Sequence, residues 1–188
     1  MVNNYEEKLT KLQQKIMDLF FIYSGRSFNL HGIARRLNTS ATAVLKAIKF
    51  LKEKKYLNVE KDKESNNLSI GLNLDNEKII QMKRTWNLNR IYFSGIFDIL
   101  IDKFPGATII LFGSYSKGED LYTTNSDIDI AIIGYSEKEI KGISKPEKNF
   151  QRSINIEFIE SFNAFHKADK HLKENLMNGI VLEGGFEL

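Results

Sequence analysis

The sequence predicts an α+β protein of two modules: a basic, mostly helical first half closed by a hairpin, and an acidic second half that mixes helices with strands. Three observations carry this. At 188 residues, 42% of them hydrophobic, the chain has the material for two small domains. Apolar residues recur every three or four positions in the first half, whereas the second half contains uninterrupted β-branched runs. The net charge of +3 divides unevenly, with 16 Lys/Arg against 9 Asp/Glu up to Arg84 and 11 against 15 from Thr85 onward. A boundary near residues 74 and 75 separates a module suited to polyanions from one suited to a cation-loaded site.

In the first module, Tyr5 to Tyr23 reads as an amphipathic helix with Leu9, Leu12, Ile16, Leu19, Phe20 and Tyr23 on one face. Ser24-Gly25-Arg26-Ser27 breaks it. Asn29 caps a short helix carrying Ile33, Ala34 and Leu37, and Asn38-Thr39-Ser40 makes the next turn. A longer helix then runs to about Lys54, with Val44, Leu45, Ile48 and Leu51 as its inward stripe. Tyr56–Glu60 and Leu68–Leu72 read as strands, and the polar stretch between them as a hairpin tip.

Helix, short helix, turn, longer helix and hairpin is the order of a winged helix-turn-helix. Ile33-Ala34-Arg35-Arg36-Leu37-Asn38-Thr39-Ser40, followed by Val44-Leu45-Lys46-Ala47-Ile48, resembles the core of that family. The resemblance implies duplex DNA as partner, with the longer helix in the major groove. Thr39, Ser40, Thr42, Lys46 and Lys49 are then the residues facing the bases. Arg35, Arg36, Lys61 and Lys63 supply phosphate contacts, which position the protein without reading sequence. The competing reading is a helical docking domain whose lysines form a solvated face.

Two further helices, Asp75–Trp86 and Asn89–Lys103, carry no chemical motif and serve as packing and as the bridge between modules. Pro105-Gly106 ends the second. The informative segment follows. Ala107 to Phe112 is a buried-strand run that passes into Gly113-Ser114, and Ser126-Asp127-Ile128-Asp129 opens a second apolar strand. Alternate side chains on a strand share a face, so Asp127 and Asp129 project together. Two adjoining carboxylates beside a hydrophobic strand are unfavourable unless a cation neutralises them, and hard oxygen donors select magnesium or manganese. A strand that ends in Gly-Ser and turns into a helix offers backbone N–H groups and a hydroxyl to phosphate, with no Cβ in the way.

Leu111-Phe112-Gly113-Ser114, Gly118 and Ser126-Asp127-Ile128-Asp129, in this order and spacing, closely resemble the DNA polymerase β-type nucleotidyltransferase superfamily, and its minimal bacterial and archaeal members above all. The resemblance implies a mixed-sheet nucleotidyltransferase domain. A nucleoside triphosphate such as ATP would lie on Gly113 and Ser114, with Lys117 at a phosphate. Mg²⁺ (or Mn²⁺) would sit on Asp127 and Asp129 together with a third acid on a later strand. For that acid the strand Ser153–Ile159 offers Glu157, flanked by Ile156 and Phe158, as the third catalytic and metal-binding residue. Asn155, two residues earlier on the same face, is the alternative equivalent, and an amide there cannot take a proton from an attacking hydroxyl.

After Ser161, the residues Phe162, Phe165, Leu172, Leu176 and Met177 recur as a helical stripe, and Asn178-Gly179 stops it. His31, His166 and His171 lack metal-ligand spacing. The chain has no cysteine, which excludes a disulfide scaffold, a thiol nucleophile and thiolate-bound metals. Its first residues lack the order of a signal peptide, and no apolar run is long enough to span a bilayer. The cytoplasm is therefore the expected location, without a membrane partner, and a homodimer is allowed.

Three functions are open at this level. The first is transfer of a nucleoside monophosphate to a protein or RNA hydroxyl, which in the minimal family implies a toxin–antitoxin setting with a HEPN-type protein or tRNA as acceptor. The second is a winged-helix transcription regulator that senses nucleotide with weak or no transfer. The third, modification of an aminoglycoside-type small molecule, is disfavoured by the first module.

Overall fold

The computed structural model describes residues 8–61, 67–124, 126–136 and 140–185. They form two compact units that divide at Ile79 and Ile80, a few residues beyond the expected boundary and inside a helix.

The first unit has the winged helix-turn-helix order. Helix α1 (Lys11–Ile22) starts later than its periodicity predicts. Thr10 and Gln13 form a capping box that satisfies the first free N–H groups, and Lys8 and Leu9 precede the helix. Asn29 caps α2 (Leu30–Arg36), accepting from the Gly32 N–H at 2.7 Å. Ser40 caps α3 (Ala41–Glu53) in the same way. Strands β1 (Leu57–Lys61) and β2 (Leu68–Leu72) pair antiparallel, and Phe28 adds one bridge to Ile70. Phe20, Ile33, Val44, Ile48, Leu51, Leu57 and Ile70 are buried. One stripe residue is corrected: Leu45 is 47% exposed, and Ala47 takes the inward position. Residues 44, 47, 48 and 51 cluster within about 100° of helix circumference, which leaves 45 at the margin.

The expected pair of helices ahead of the first sheet strand of the second unit is also corrected. Helix α4 (Glu77–Phe93) runs unbroken through Asn87 and Leu88, and α5 (Ile96–Lys103) follows. The break falls at Ser94-Gly95, where Gly95 has a φ of +86° and the Ser94 hydroxyl accepts from the Ile96 N–H.

Strand β3 (Thr108–Phe112), the single-turn helix α6 (Gly113–Lys117), β4 (Ile128–Ile133), α7 (Ser144–Phe150) and β5 (Ile154–Ile159) come next. Helices α8 (Phe162–Lys167) and α9 (Lys170–Met177) and strand β6 (Ile180–Glu183) complete the unit. The C-terminal stripe thus divides into two helices, because Asp169 caps α9, and Met177 is 71% exposed rather than buried. The sheet order is β5-β4-β3-β6, with β4 and β6 antiparallel to β3 and β5 parallel to β4. Ile91, Ile96, Leu100, Phe104 and Phe150 cover one face, and Phe165 and Leu176 cover the other. Burial on both faces explains why β3 and β4 read as continuous apolar runs.

Candidate active site

The two central strands bring the motif residues to one edge of the second unit. In the antiparallel register Phe112 lies opposite Asp129, so the turn that follows β3 starts beside that carboxylate. Gly113 adopts a φ of +72°, in the left-handed region. A Cβ built there would collide with Asp129 Oδ2 and lie 3.3 Å from its Cγ. Glycine is thus required twice over, for its backbone and for the space into which Asp129 projects. The Ser116 hydroxyl donates to Gly113 O at 2.8 Å, and the Glu119 N–H donates to Ser114 O at 3.0 Å, which fixes the turn. Ser114 and Lys117 are both half-buried on this turn.

On its other side Asp129 meets β5. The parallel register pairs Asp129 with Asn155 and Ala131 with Glu157. The Asn155 amide donates to Asp129 Oδ1 at 3.2 Å. Strand alternation correctly puts Asn155 and Glu157 on one face, but Glu157 sits two register pairs farther from the Gly113 turn, about 7 Å along the strand. The neighbour of Asp129 is the amide, not the expected acid. Among the described residues no three His, Cys, Asp or Glu side chains converge as a metal site.

Asp127 precedes β4 and is exposed. It lines a cavity of about 240 Å³ with Tyr122, Gln151, Arg152 and Ser153. Asp129 presents a hard oxygen donor against a turn whose backbone lacks a Cβ, and Asp127 stands two residues before it in the chain; carboxylates of this kind suit a divalent cation carrying phosphates.

Sequence reasoning missed a buried polar cluster behind this edge. Lys83 of α4 is 0% exposed and Asp120, after α6, is 1% exposed, and the two form an ion pair. Arg152 pairs with the other Asp120 oxygen at 2.7 Å. The Asn87 amide donates to Asp120 Oδ1 at 2.7 Å and to Tyr115 O at 2.8 Å. Burial lowers the Lys83 pKa from 10.5 to about 8, against the opposing attraction of Asp120. Burial likewise raises that of Tyr115 and lowers that of Arg90. A signal did exist: Ile79, Lys83, Asn87 and Ile91 recur every four residues, so Lys83 and Asn87 lie in phase with the buried side of α4.

In the first unit Arg35, Arg36, Ser40, Thr42, Lys46, Lys49 and Lys61 are exposed and Thr39 is half-buried. Thr42, Lys46 and Lys49 share one face of α3 with the exposed Leu45. The Arg36 guanidinium lies 4.6 Å from the Phe28 ring centroid. Lys63 lies outside the described residues. No described helix is long and apolar enough to cross a membrane.

Residues 94–180 match the nucleotidyltransferase domain family. That span holds Gly113, Ser114, Lys117, Asp127, Asp129, Asn155 and Glu157, whereas Lys83 and Asn87 precede it. Among solved structures, the adhesin competence repressor AdcR of Streptococcus pyogenes is similar at 26% identity and a TM-score of 0.38, over 53% of this chain and 70% of that one. A point mutant of Lactococcus lactis ZitR is similar at 23% identity and a TM-score of 0.40, over 53% and 64%. Streptococcus pneumoniae FabT, in complex with DNA, is similar at 14% identity and 0.38, over 54% and 65%. No curated protein matches the chain.

Proposed function

We propose, from the nucleotidyltransferase domain at residues 94–180, that the chain transfers a nucleoside monophosphate from a triphosphate such as ATP to a hydroxyl on a protein or RNA. The observation that carries this is the Asp129 carboxylate seated where Gly113 has no Cβ, with Asp127 two residues before it. Gly113 and Ser114 receive the phosphates, and Lys117 is within the same turn. Asp127 and Asp129 hold Mg²⁺ or Mn²⁺, which when bound supplies positive charge to the triphosphate. Transfer forms a bond from the acceptor oxygen to the α-phosphorus and breaks the α–β bridge, releasing pyrophosphate. The acceptor proton needs a base, and Glu157 is the carboxylate on β5 for that role. Duplex DNA binds the first unit through Thr39, Ser40, Thr42, Lys46 and Lys49, with Arg35, Arg36, Lys61 and Lys63 at phosphates. Triphosphate and nucleic acid as ligands fit a cytoplasmic protein. A toxin–antitoxin role, with a HEPN-type protein or tRNA as acceptor, fits transfer to a macromolecular hydroxyl.

One observation favours a second reading. Asn155, not an acid, is the hydrogen-bonded neighbour of Asp129. An amide there keeps nucleotide binding and weakens deprotonation of the acceptor, which suits a nucleotide-sensing winged-helix regulator. Incubation with labelled triphosphates and cell lysate separates the two. A labelled macromolecule supports transfer, and metal-dependent nucleotide binding without label supports sensing.

A further inference from the structure

We infer that the buried cluster of Lys83, Asn87, Asp120 and Arg152 is a clamp that holds Asp127 in its metal-binding position, with Arg152 as the positioning residue. The inference rests on the nucleotide-binding reading given above and concerns how that site is kept in shape. Asp127 is exposed and lies outside any strand, so no ladder fixes it. Its neighbours on both sides are nonetheless tied down. The Arg152 guanidinium donates to Ser126 O at 2.6 Å, and the Ile128 N–H donates to Ser153 O at 3.0 Å. The same guanidinium nitrogen reaches Leu121 O at 3.4 Å, and the Ser126 hydroxyl accepts from the Leu121 N–H at 3.3 Å. Arg152 therefore bridges the residues just after Asp120 and just before Asp127.

Arg152 is itself held. Its other terminal nitrogen pairs with Asp120 Oδ2, while Asp120 Oδ1 takes Lys83 and Asn87, and the Lys83 ammonium also donates to Asp120 O at 2.9 Å. One buried carboxylate carrying two cations is costly to assemble and costly to break. Such an arrangement is suited to rigidity rather than to net stability. One terminal nitrogen of Arg152 donates to Ser126 O while the other lies against the Asp120 carboxylate as an ion pair, and the single nitrogen of a lysine cannot occupy both places. Lys83 and Asn87 lie outside the matched family span, so the clamp recruits α4 to a site otherwise built from β3, β4 and β5.

The test is the concentration of Mg²⁺ that half-saturates nucleotide binding in the full chain, measured at fixed ATP alongside the melting temperature. Arg152→Lys keeps the charge and has one nitrogen where arginine places two, so the Ser126 bond and the Asp120 ion pair cannot both persist. It should raise the half-saturating Mg²⁺ about 10- to 100-fold, the scale for residues that orient metal ligands. Arg152→Gln should raise it further. A residue that merely stabilised the fold would shift the melting temperature and leave the metal requirement of the folded protein unchanged. If Arg152→Lys does not fold, Asn87→Ala, which leaves every charge in place, should raise the requirement several-fold. A folded variant with the parent's metal requirement overturns the clamp alone. A parent protein that binds ATP equally with and without metal overturns the functional reading and the clamp with it.

Discussion

Replacing Asn155 by aspartate tests whether β5 contributes its residue 155 or its residue 157 to the site. In the parent, the Asn155 amide donates to Asp129 Oδ1 at 3.2 Å. Asn155→Asp changes that hydrogen bond into a carboxylate pair at similar separation. At an effective dielectric of about 20, two unit charges this close repel by roughly 5 kcal/mol. Residue 155 is exposed and Asp129 half-buried, so solvent screening and rotation apart reduce this to about 1–2 kcal/mol. The metal-free variant should melt a few degrees below the parent. Mg²⁺ should recover the loss and raise the melting temperature of the variant more than that of the parent, because the third oxygen donor now binds it. In the labelled-triphosphate assay, transfer should increase. Glu157→Gln, two register pairs away opposite Ala131, should leave the Mg²⁺ effect nearly unchanged. An Asn155→Asp protein that Mg²⁺ fails to stabilise, or a Glu157→Gln protein that loses the Mg²⁺ effect, would refute this reasoning and place Glu157, the proposed base, at the metal as well.

Gly113→Ala forces a Cβ into the left-handed region at about 1–2 kcal/mol and displaces the Asp129 carboxylate, so metal-dependent ATP binding should weaken at least ~10-fold. Gly95→Ala, equally left-handed but facing open space, should cost similar stability with no change in binding, and equal binding losses in the two variants would contradict the assigned role of Gly113. Lys83 should give a signature in the pH dependence of stability. Its folded pKa of about 8 lies below the unfolded 10.5, so between these values the unfolded chain holds the extra proton and the contribution of this group to stability rises with pH. The rise is about 3 kcal/mol at most, and comparing pH–melting profiles of the parent and Lys83→Met should show it only in the parent. For the first unit, Lys46→Ala/Lys49→Ala should weaken duplex DNA binding and make its log–log salt slope shallower by about 2. An unchanged slope would remove α3 from the interface.

The strand, the Gly-Ser turn and the Asp-Ile-Asp pair were legible because each is fixed locally. β3 and β4 are buried on both faces and read as continuous apolar runs, Gly113 tolerates a backbone that a Cβ would not, and alternation puts Asn155 and Glu157 on one face of β5. The choice between Asn155 and Glu157 was not legible, since alternation sets the face and not the register. The register comes from a parallel pairing that closes only through α7 and its connections. The clamp was half legible. Lys83 and Asn87 stand in the buried phase of α4, but Asp120 and Arg152 are distant in sequence and meet Lys83 only through the fold. Spacing alone places Leu45 and Met177 inward, although each falls at the margin of a stripe that packing leaves open.

Nucleotide binding that depends on a divalent cation is the claim on which the rest depends. Calorimetric titration of ATP, GTP, CTP and UTP into the full chain, with Mg²⁺ and then with EDTA, measures it directly, and Asp127→Asn and Asp129→Asn supply the comparison. At least one triphosphate should bind with Mg²⁺ and lose that binding in EDTA, and each variant should lose about 10-fold or more. Binding that is indifferent to chelation, or unaltered in both variants, would contradict the assignment of this edge of the sheet as a nucleotide–metal site.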